Sequence, residues 1–188
     1  MLCEMRGDLR IEPLGEANEA AFLALHDDRH DAGWCRCAAW HVPTWDGWMA
    51  RTAAENLALR CELHADGKHD GLLAFVGETP VGWIQLGVRD RLPKLVAQLD
   101  LDPDPCVWAV TCLLVAPAQR RTGVATALLD AAKTHAREAG ATRLEGYPRT
   151  APIDEDGDAW TGTPALFTAA GFAVVRDGAP RAVVAVGL

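Results

Sequence analysis

A segment at residues 107–125, VWAVTCLLVAPAQRRTGVA, decides the fold of this chain. Residues 107–115 form its most apolar run, and their length and β-branched content predict a fully buried strand. Pro117 ends that strand. From 122 to 139 the apolar residues recur three and four positions apart, which predicts an amphipathic helix that stops at Gly140. A buried strand therefore runs directly into the strongest helix of the chain.

The turn between this strand and this helix has the features of an anion-binding site. The N–H groups at a helix N-terminus lack intrahelical partners, and the helix dipole adds partial positive charge there. Gly123 has no side chain, so a diphosphate could approach the backbone closely, and small Ala125 leaves similar room. Arg120 and Arg121 lie beside them. We interpret residues 120–125 as a diphosphate cradle; the alternative is an ordinary turn with a solvated pair of arginines.

The segments outside this region alternate between strand and helix patterns. Strands are predicted at 8–14, 70–77, 80–88, 142–146, 172–176 and 181–186, and helices at 18–26, 47–63 with Asp46 as the N-cap, 92–99 and 163–170. Hairpins join some of these strands and helical crossovers join others. The order predicts one α/β domain over residues 1–188, a mixed β-sheet flanked by helices.

Composition restricts the class of protein. The chain has 188 residues, of which 49% are hydrophobic and 23% charged, as in ordinary globular domains. Its net charge of −8 disfavours a nucleic-acid partner, because phosphate neutralisation needs a basic surface. No apolar run approaches the roughly 20 residues of a membrane span, and the first ten residues lack the apolar stretch of a secretory signal. We therefore expect a cytoplasmic protein with no membrane partner, and its six cysteines as reduced thiols.

Two segments of the sequence resemble a known family. The segments LLVAPAQRRTGVATALL at 113–129 and LFTAAGF at 166–172 resemble signatures of the GNAT superfamily, the GCN5-related N-acetyltransferases. The order of elements is similar over nearly the whole chain. The W-C-R-C segment at 34–37 and the G-Y-P segment at 146–148 are similar to a little-characterised subgroup of that superfamily. The resemblance implies a GNAT-like fold.

The resemblance also implies acetyl-coenzyme A as co-substrate and no metal. In this family the backbone of the buried strand would pair with the pantetheine arm, and the cradle amides would hold the pyrophosphate. The implied cofactor residues are Leu113, Leu114, Val115, Arg120, Arg121, Thr122, Gly123, Val124, Ala125 and Phe167. The strands at 107–115 and 142–146 would splay apart around the thioester. An acceptor amine would then attack the acetyl carbonyl directly.

The candidate proton-transfer groups depart from the family pattern. The family often has a tyrosine where this chain has Phe167, which cannot protonate a leaving thiolate and could pack either against the coenzyme or in the core. Tyr147 follows the strand at 142–146 and is the candidate replacement acid, unless its ring simply packs. Glu145 is the nearest candidate base, unless it faces solvent or pairs with an arginine. Deprotonation relayed by water is the remaining alternative.

The segment 34–41, WCRCAAWH, allows three interpretations. Cys35, Cys37 and His41 could supply three zinc ligands, but no second close Cys/His pair follows at a spacing typical of zinc fingers. By resemblance, the loop walls the acceptor pocket, with Trp34 and Trp40 binding the acceptor beside Trp45 and Trp48. Structural packing is the third interpretation. The acidic run at 154–158 fails the EF-hand pattern and is interpreted as a solvated loop, or as an attractor for a cationic acceptor.

Together these observations predict an acetyl-CoA-dependent N-acetyltransferase that acts on a small-molecule amine. One alternative is a domain of the same fold that binds CoA without catalysis, as a sensor or regulatory domain. A second is a zinc-bound interaction module built on the loop at 34–41. Because members of the family are often dimers, a homodimer is a further possibility.

Overall fold

The strand predicted at 107–115 lies in the middle of one mixed β-sheet. The structure is a computed structural model that describes residues 9–27, 30–150 and 159–188, so the acidic run at 154–158 lies outside the described residues. Within these ranges the strands are β1 Leu9–Pro13, β2 Gly71–Val76, β3 Thr79–Val88, β4 Val107–Val115, β5 Arg143–Gly146, β6 Ala173–Arg176 and β7 Val183–Gly187. Their order is β1-β2-β3-β4-β5-β7-β6. Only the β4–β5 pair is parallel among the pairs described.

Helices flank this sheet and confirm the predicted α/β class. They are α1 Glu19–Asp27, α2 His30–Cys35, α3 Ala53–Ala65, α4 Pro93–Leu99, α5 Val124–Glu138 and α6 Pro164–Ala169. Short 3-10 turns include Ala39–His41, Trp48–Ala50, Arg89–Arg91 and Ala159–Thr161. No helix in the described part of the chain is both long and apolar enough to cross a membrane.

The predicted start of the third helix is wrong. Instead of beginning after Asp46, α3 begins at Ala53 and has Thr52 as its N-cap. Gly47 adopts a left-handed conformation with φ +69°, which interrupts any helix from that point. The Thr52 hydroxyl accepts a hydrogen bond from the Glu55 N–H at 3.2 Å, and the Glu55 carboxylate accepts one from the Thr52 N–H at 2.6 Å. This capping box fixes the start of the helix.

Alternating side chains of the central strands build a core on each face of the sheet. Ile84 packs with Leu128 and Leu129 of α5 on one face. On the other face Trp83 packs with Phe22 of α1. All five of these side chains are buried, so the sheet is covered on both sides around its centre.

The parallel pair β4–β5 separates halfway along β4. Pairing runs from Val107 opposite Arg143 to Val110 opposite Gly146, where β5 ends. The rest of β4 pairs with β3 alone. The register between β3 and β4 shifts at this point, which leaves Thr111 as the extra residue of a β-bulge. The bulge and the end of β5 together open the sheet on one side of β4.

Candidate active site

The N-terminus of α5 is open for an anion. Gly123 is its N-cap, with φ +96°, and Arg121 before it is also left-handed, with φ +63°. The Ala127 N–H donates to the Gly123 carbonyl at 3.0 Å and closes the first helical turn. The preceding N–H groups, those of residues 124–126, therefore lack helical acceptors. No side chain of the described residues caps this terminus, and its first turn carries no acidic residue.

A cavity of about 240 Å³ lies at this helix terminus. Its lining residues are Val115, Gln119, Arg120, Arg121, Gly123, Val124, Ala125, Thr126 and Leu166. A Cβ atom added to Gly123 would have no described residue within 4 Å other than its chain neighbours. Arg120 and Arg121 are exposed and form no ion pair with any residue in the described ranges. The Thr122 hydroxyl donates to the Gln119 carbonyl at 2.7 Å and closes the turn.

The predicted pantetheine residues lead from this cavity into the sheet. Leu113 is buried, while Leu114 and Val115 are half-buried. All three belong to the part of β4 that β5 does not pair with. Val115 also lines the cavity, so the cradle and the open side of β4 are continuous. The 3-10 turn Ala159–Thr161 packs against β4 as well.

Phe167 fills the space below the point where β4 and β5 separate. Its side chain is fully buried, and its ring lies edge-to-face with that of Phe172, with 5.0 Å between centroids. A Cβ atom added to Gly146 would collide with the Phe167 ring, and one added to Gly162 would lie 2.7 Å from it. These two glycines make room for the ring. The structure thus places Phe167 in the core, at the floor of the gap.

The two predicted proton-transfer residues contact each other. The Tyr147 hydroxyl donates to the Glu145 carboxylate at 2.7 Å, and the Arg89 guanidinium donates to the same oxygen at 3.1 Å. Arg143 donates to the other oxygen. Glu145 and Tyr147 are each only 1% exposed. The sequence allowed two alternatives to a general base at Glu145, exposure to solvent or pairing with an arginine. The structure shows the pairing with arginines.

Burial and the neighbouring Glu145 carboxylate raise the pKa of Tyr147 well above its usual value. The phenol is therefore protonated at neutral pH. Its hydrogen points toward Glu145, so it must turn before it can donate to another group. Arg89, which anchors this pair from the 3-10 turn after β3, had no recognisable signal in the sequence.

The predicted acceptor residues Trp34 and Trp40 lie in different packing clusters. The Trp34 ring packs edge-to-face with Trp48 at 5.2 Å, and its indole N–H donates to the Arg51 carbonyl at 2.9 Å. The Trp40 ring lies 5.6 Å from that of Trp45 and shares a buried cluster with Tyr147. Trp40 thus lies near Tyr147, the candidate acid. Trp34 lies away from Tyr147 and packs in the cluster of Trp48 instead.

Lys94 connects these aromatic residues and was not predicted as part of the site. Its Nζ lies 3.2 Å from the centroid of Trp45, 5.0 Å from that of Trp48 and 5.8 Å from that of Trp40. The side chain is 2% exposed, and Nζ has no hydrogen-bond partner among the described residues. Burial lowers the pKa of Lys94 from 10.5 to about 8. The faces of the tryptophan rings stabilise the Lys94 ammonium when it is protonated.

The structure does not bring Cys35, Cys37 and His41 together as zinc ligands. His41 Nε2 lies 3.3 Å from the Gln85 amide nitrogen, and Cys37 Sγ contacts Cys112. No group of three metal-ligating side chains suited to an ion occurs in the described ranges.

A chain of hydrogen bonds that the sequence did not predict runs from the Cys37 carbonyl through Gln85 to Thr111. The Gln85 amide donates to the Cys37 carbonyl at 2.9 Å, so its oxygen faces Thr111, whose hydroxyl donates to it at 2.9 Å. Thr111 is the bulge residue of β4. Because its hydrogen is used, the Thr111 oxygen can only accept further hydrogen bonds. Gln85 comes from β3, and only the folded sheet brings these residues together.

Comparison with known proteins agrees with this fold. The model of the acetyltransferase (GNAT) family matches residues 34–150. The chain therefore belongs to the GNAT acetyltransferase family. No curated protein matches the sequence.

Solved structures with this fold are distant in sequence. The GNAT domain of S. lividans PAT has a TM-score of 0.62 and 18% identity, over 96% of this chain and 90% of that chain. The PaiA N-acetyltransferase of Thermoplasma acidophilum, in complex with coenzyme A, has a TM-score of 0.56 and 12% identity, over 96% and 99%. YncA of Salmonella typhimurium, with its cofactor acetyl-CoA, has a TM-score of 0.55 and 15% identity, over 97% and 94%. At these identities the similarity shows the fold alone.

Proposed function

We propose that this protein is an acetyl-CoA-dependent N-acetyltransferase that acts on the amine of a small molecule. The observation that carries the proposal is the continuity of the open α5 N-terminus with the side of β4 that β5 leaves unpaired. A diphosphate can bind to the free N–H groups of the helix terminus, and an extended chain that contains amides can pair with the free side of the strand. Both occur on consecutive parts of one segment.

The residues present fit acetyl-CoA. The amides of residues 121–125 would bind the diphosphate, with Arg120 and Arg121 neutralising its charge. The backbone of residues 113–115 would pair with the pantetheine arm. The thioester would then lie near Thr111, where the sheet opens, above the Phe167 ring.

The reaction that we propose is direct attack. The bound acetyl thioester would supply an activated carbonyl. The carbon–nitrogen bond forms, the carbon–sulfur bond breaks, the amine gives up a proton to water and the departing thiolate gains one. We assign Tyr147 as the proton donor and Glu145 as the residue that positions it. The contacts of Glu145 with Arg89, Arg143 and Tyr147 favour this positioning role over that of a general base.

The acceptor side is the face of the sheet that carries Trp40, Tyr147 and Thr111. Trp40 supplies an apolar wall, and the Thr111 oxygen supplies a hydrogen-bond acceptor for an amine N–H. Trp34 then stabilises the loop that holds Trp40.

Calorimetric titration of acetyl-CoA into the wild type and two glycine variants tests the cofactor site. Gly123 and Gly140 lie at opposite ends of α5, both left-handed, with φ +96° and +89°, and a Cβ atom would meet nothing within 4 Å at either. The wild type should bind with a micromolar Kd. Gly123→Asp places a carboxylate in the cradle and should weaken binding at least about tenfold. Gly140→Asp should bind as the wild type does.

Release of free CoA thiol with a panel of amines then tests the transfer. Turnover supports the enzyme. Binding without turnover would favour a CoA-binding sensor, a second candidate that the buried Phe167 in place of a tyrosine supports. No binding by the wild type would overturn both.

A further inference from the structure

Two buried thiols are in contact beside the bulge of β4. Cys37 lies between α2 and the 3-10 turn Ala39–His41, and Cys112 follows Thr111 on β4. Their sulfur atoms lie 2.9 Å apart. The two residues are 6% and 8% exposed, and both are free thiols in this structure. Although they are 75 positions apart in the sequence, the fold brings their sulfur atoms into contact.

The backbone holds Cys37 in place at an energetic cost. Arg36 and Cys37 have φ values of +51° and +55°, a left-handed conformation that side chains other than glycine rarely adopt. Buried hydrogen bonds stabilise it. His69 Nε2 donates to the Arg36 carbonyl at 3.1 Å, and the Gln85 amide donates to the Cys37 carbonyl at 2.9 Å. Strained backbone that is fixed in this way is typical of functional positions.

A histidine base faces the Cys37 thiol. His26 Nδ1 lies 2.8 Å from the Phe22 carbonyl, which can only accept, so this nitrogen carries the ring hydrogen. Nε2 is then an acceptor, and it lies 3.4 Å from Cys37 Sγ. Burial raises the pKa of the Cys37 thiol, which makes a neighbouring base necessary for thiolate formation.

We infer that Cys37 and Cys112 are a redox pair that a peroxide converts into a reversible disulfide. Cys37 gives its proton to His26, and the thiolate attacks one peroxide oxygen, which leaves a sulfenic acid and one water. The Cys112 sulfur then attacks the sulfenic sulfur, the sulfur–sulfur bond forms and a second water leaves. The pair loses two electrons and two protons in total, and one hydrogen peroxide is reduced to two waters.

The disulfide would join the two sides of the candidate site. It would link the segment between α2 and Trp40 to β4, next to the bulge where the thioester would lie. Gln85 already connects the Cys37 carbonyl to Thr111, so the bond would reinforce an existing connection. The inference rests on the thiol contact and not on the proposed function, because its test needs no acetyl-CoA.

Peptide mapping of the full-length protein tests this inference. The reduced protein is treated with hydrogen peroxide, denatured, alkylated and digested without reductant. Trypsin cuts after Arg36 and separates Cys35 from Cys37, while chymotrypsin cuts after Trp108 and separates Cys106 from Cys112. We expect a Cys37–Cys112 crosslink that dithiothreitol reverses, with a rise in Tm of at least about 5 °C from closing so long a loop.

Variants and exposed thiols serve as controls. Cys35→Ser should keep the crosslink and the Tm rise, and Cys37→Ser and Cys112→Ser should each lose both. Alkylation of Cys37 and Cys112 at peroxide concentrations that oxidise exposed Cys61 would overturn the inference. So would a Cys35–Cys37 crosslink, or a Cys37–Cys112 crosslink that forms only after denaturation.

Discussion

Glu145, Tyr147 and Lys94 each place a polar group in the interior, with different kinds of partner. Glu145 has hydrogen-bond donors at both oxygens, and Tyr147 donates to it. Lys94 has aromatic faces and no hydrogen-bond acceptor in the described part of the chain. Removal of the Tyr147 hydroxyl should therefore lower the free energy of unfolding, whereas the effect of removing the Lys94 ammonium should depend on pH.

For Tyr147→Phe we predict a loss in both stability and turnover. The variant removes a hydrogen bond to a buried carboxylate, so urea unfolding should show a loss of about 2 kcal/mol. If Tyr147 donates the proton, kcat should fall about 100-fold with an unchanged Kd for acetyl-CoA. A stability loss with unchanged kcat would show that Tyr147 is structural only.

For Lys94→Met we predict a pH-dependent difference in stability. The pKa of Lys94 is about 8 in the folded protein, against 10.5 for an unperturbed lysine. Between these values the unfolded chain binds more protons, so the contribution of Lys94 to the unfolding free energy rises with pH. Denaturant titrations from pH 7 to 11 should show the wild type gaining stability relative to Lys94→Met. Lys68→Met, which removes an exposed lysine, should show no such trend, and a flat difference for Lys94→Met would contradict the lowered pKa that burial gives Lys94.

At the scale of elements, local signals predicted most of the secondary structure. The apolar run at 107–115 became β4 with the predicted bounds, because its length and its β-branched residues fit a strand that is buried on both faces. The predicted start of α3 at Asp46 is wrong, because the capping box of Thr52 and Glu55 begins the helix six residues later. A left-handed Gly47 decides between the two, and the buried Trp48 follows it directly.

The helix start can be measured with two alanine variants. Thr52→Ala removes the side-chain acceptor of the capping box, and we expect a loss of about 1 kcal/mol in the free energy of unfolding. Asp46→Ala should change it by less than about 0.5 kcal/mol, because its exposed side chain caps no helix. Equal losses for both variants would contradict the observed start.

At the scale of the whole molecule, the sequence predicted the parts of the site that are contiguous in the chain. The cradle lies on one segment, so Gly123 and its neighbouring arginines were recognisable. The contacts of Lys94 with three tryptophans, of Gln85 with Thr111 and of Cys37 with Cys112 join distant segments. No spacing rule predicts such contacts, because they depend on the register of β3 and β4 and on how the segment after α2 packs on the sheet.

Hydrogen–deuterium exchange with and without acetyl-CoA tests the central claim most directly, since it locates the ligand on the backbone. We predict that acetyl-CoA slows exchange at residues 111–115 of β4 and at residues 121–126 of the cradle in the same experiment. Residues 9–13 of β1, at the far edge of the sheet, should exchange as before. Saturating acetyl-CoA that leaves both segments unchanged, or that protects other segments instead, would contradict the account.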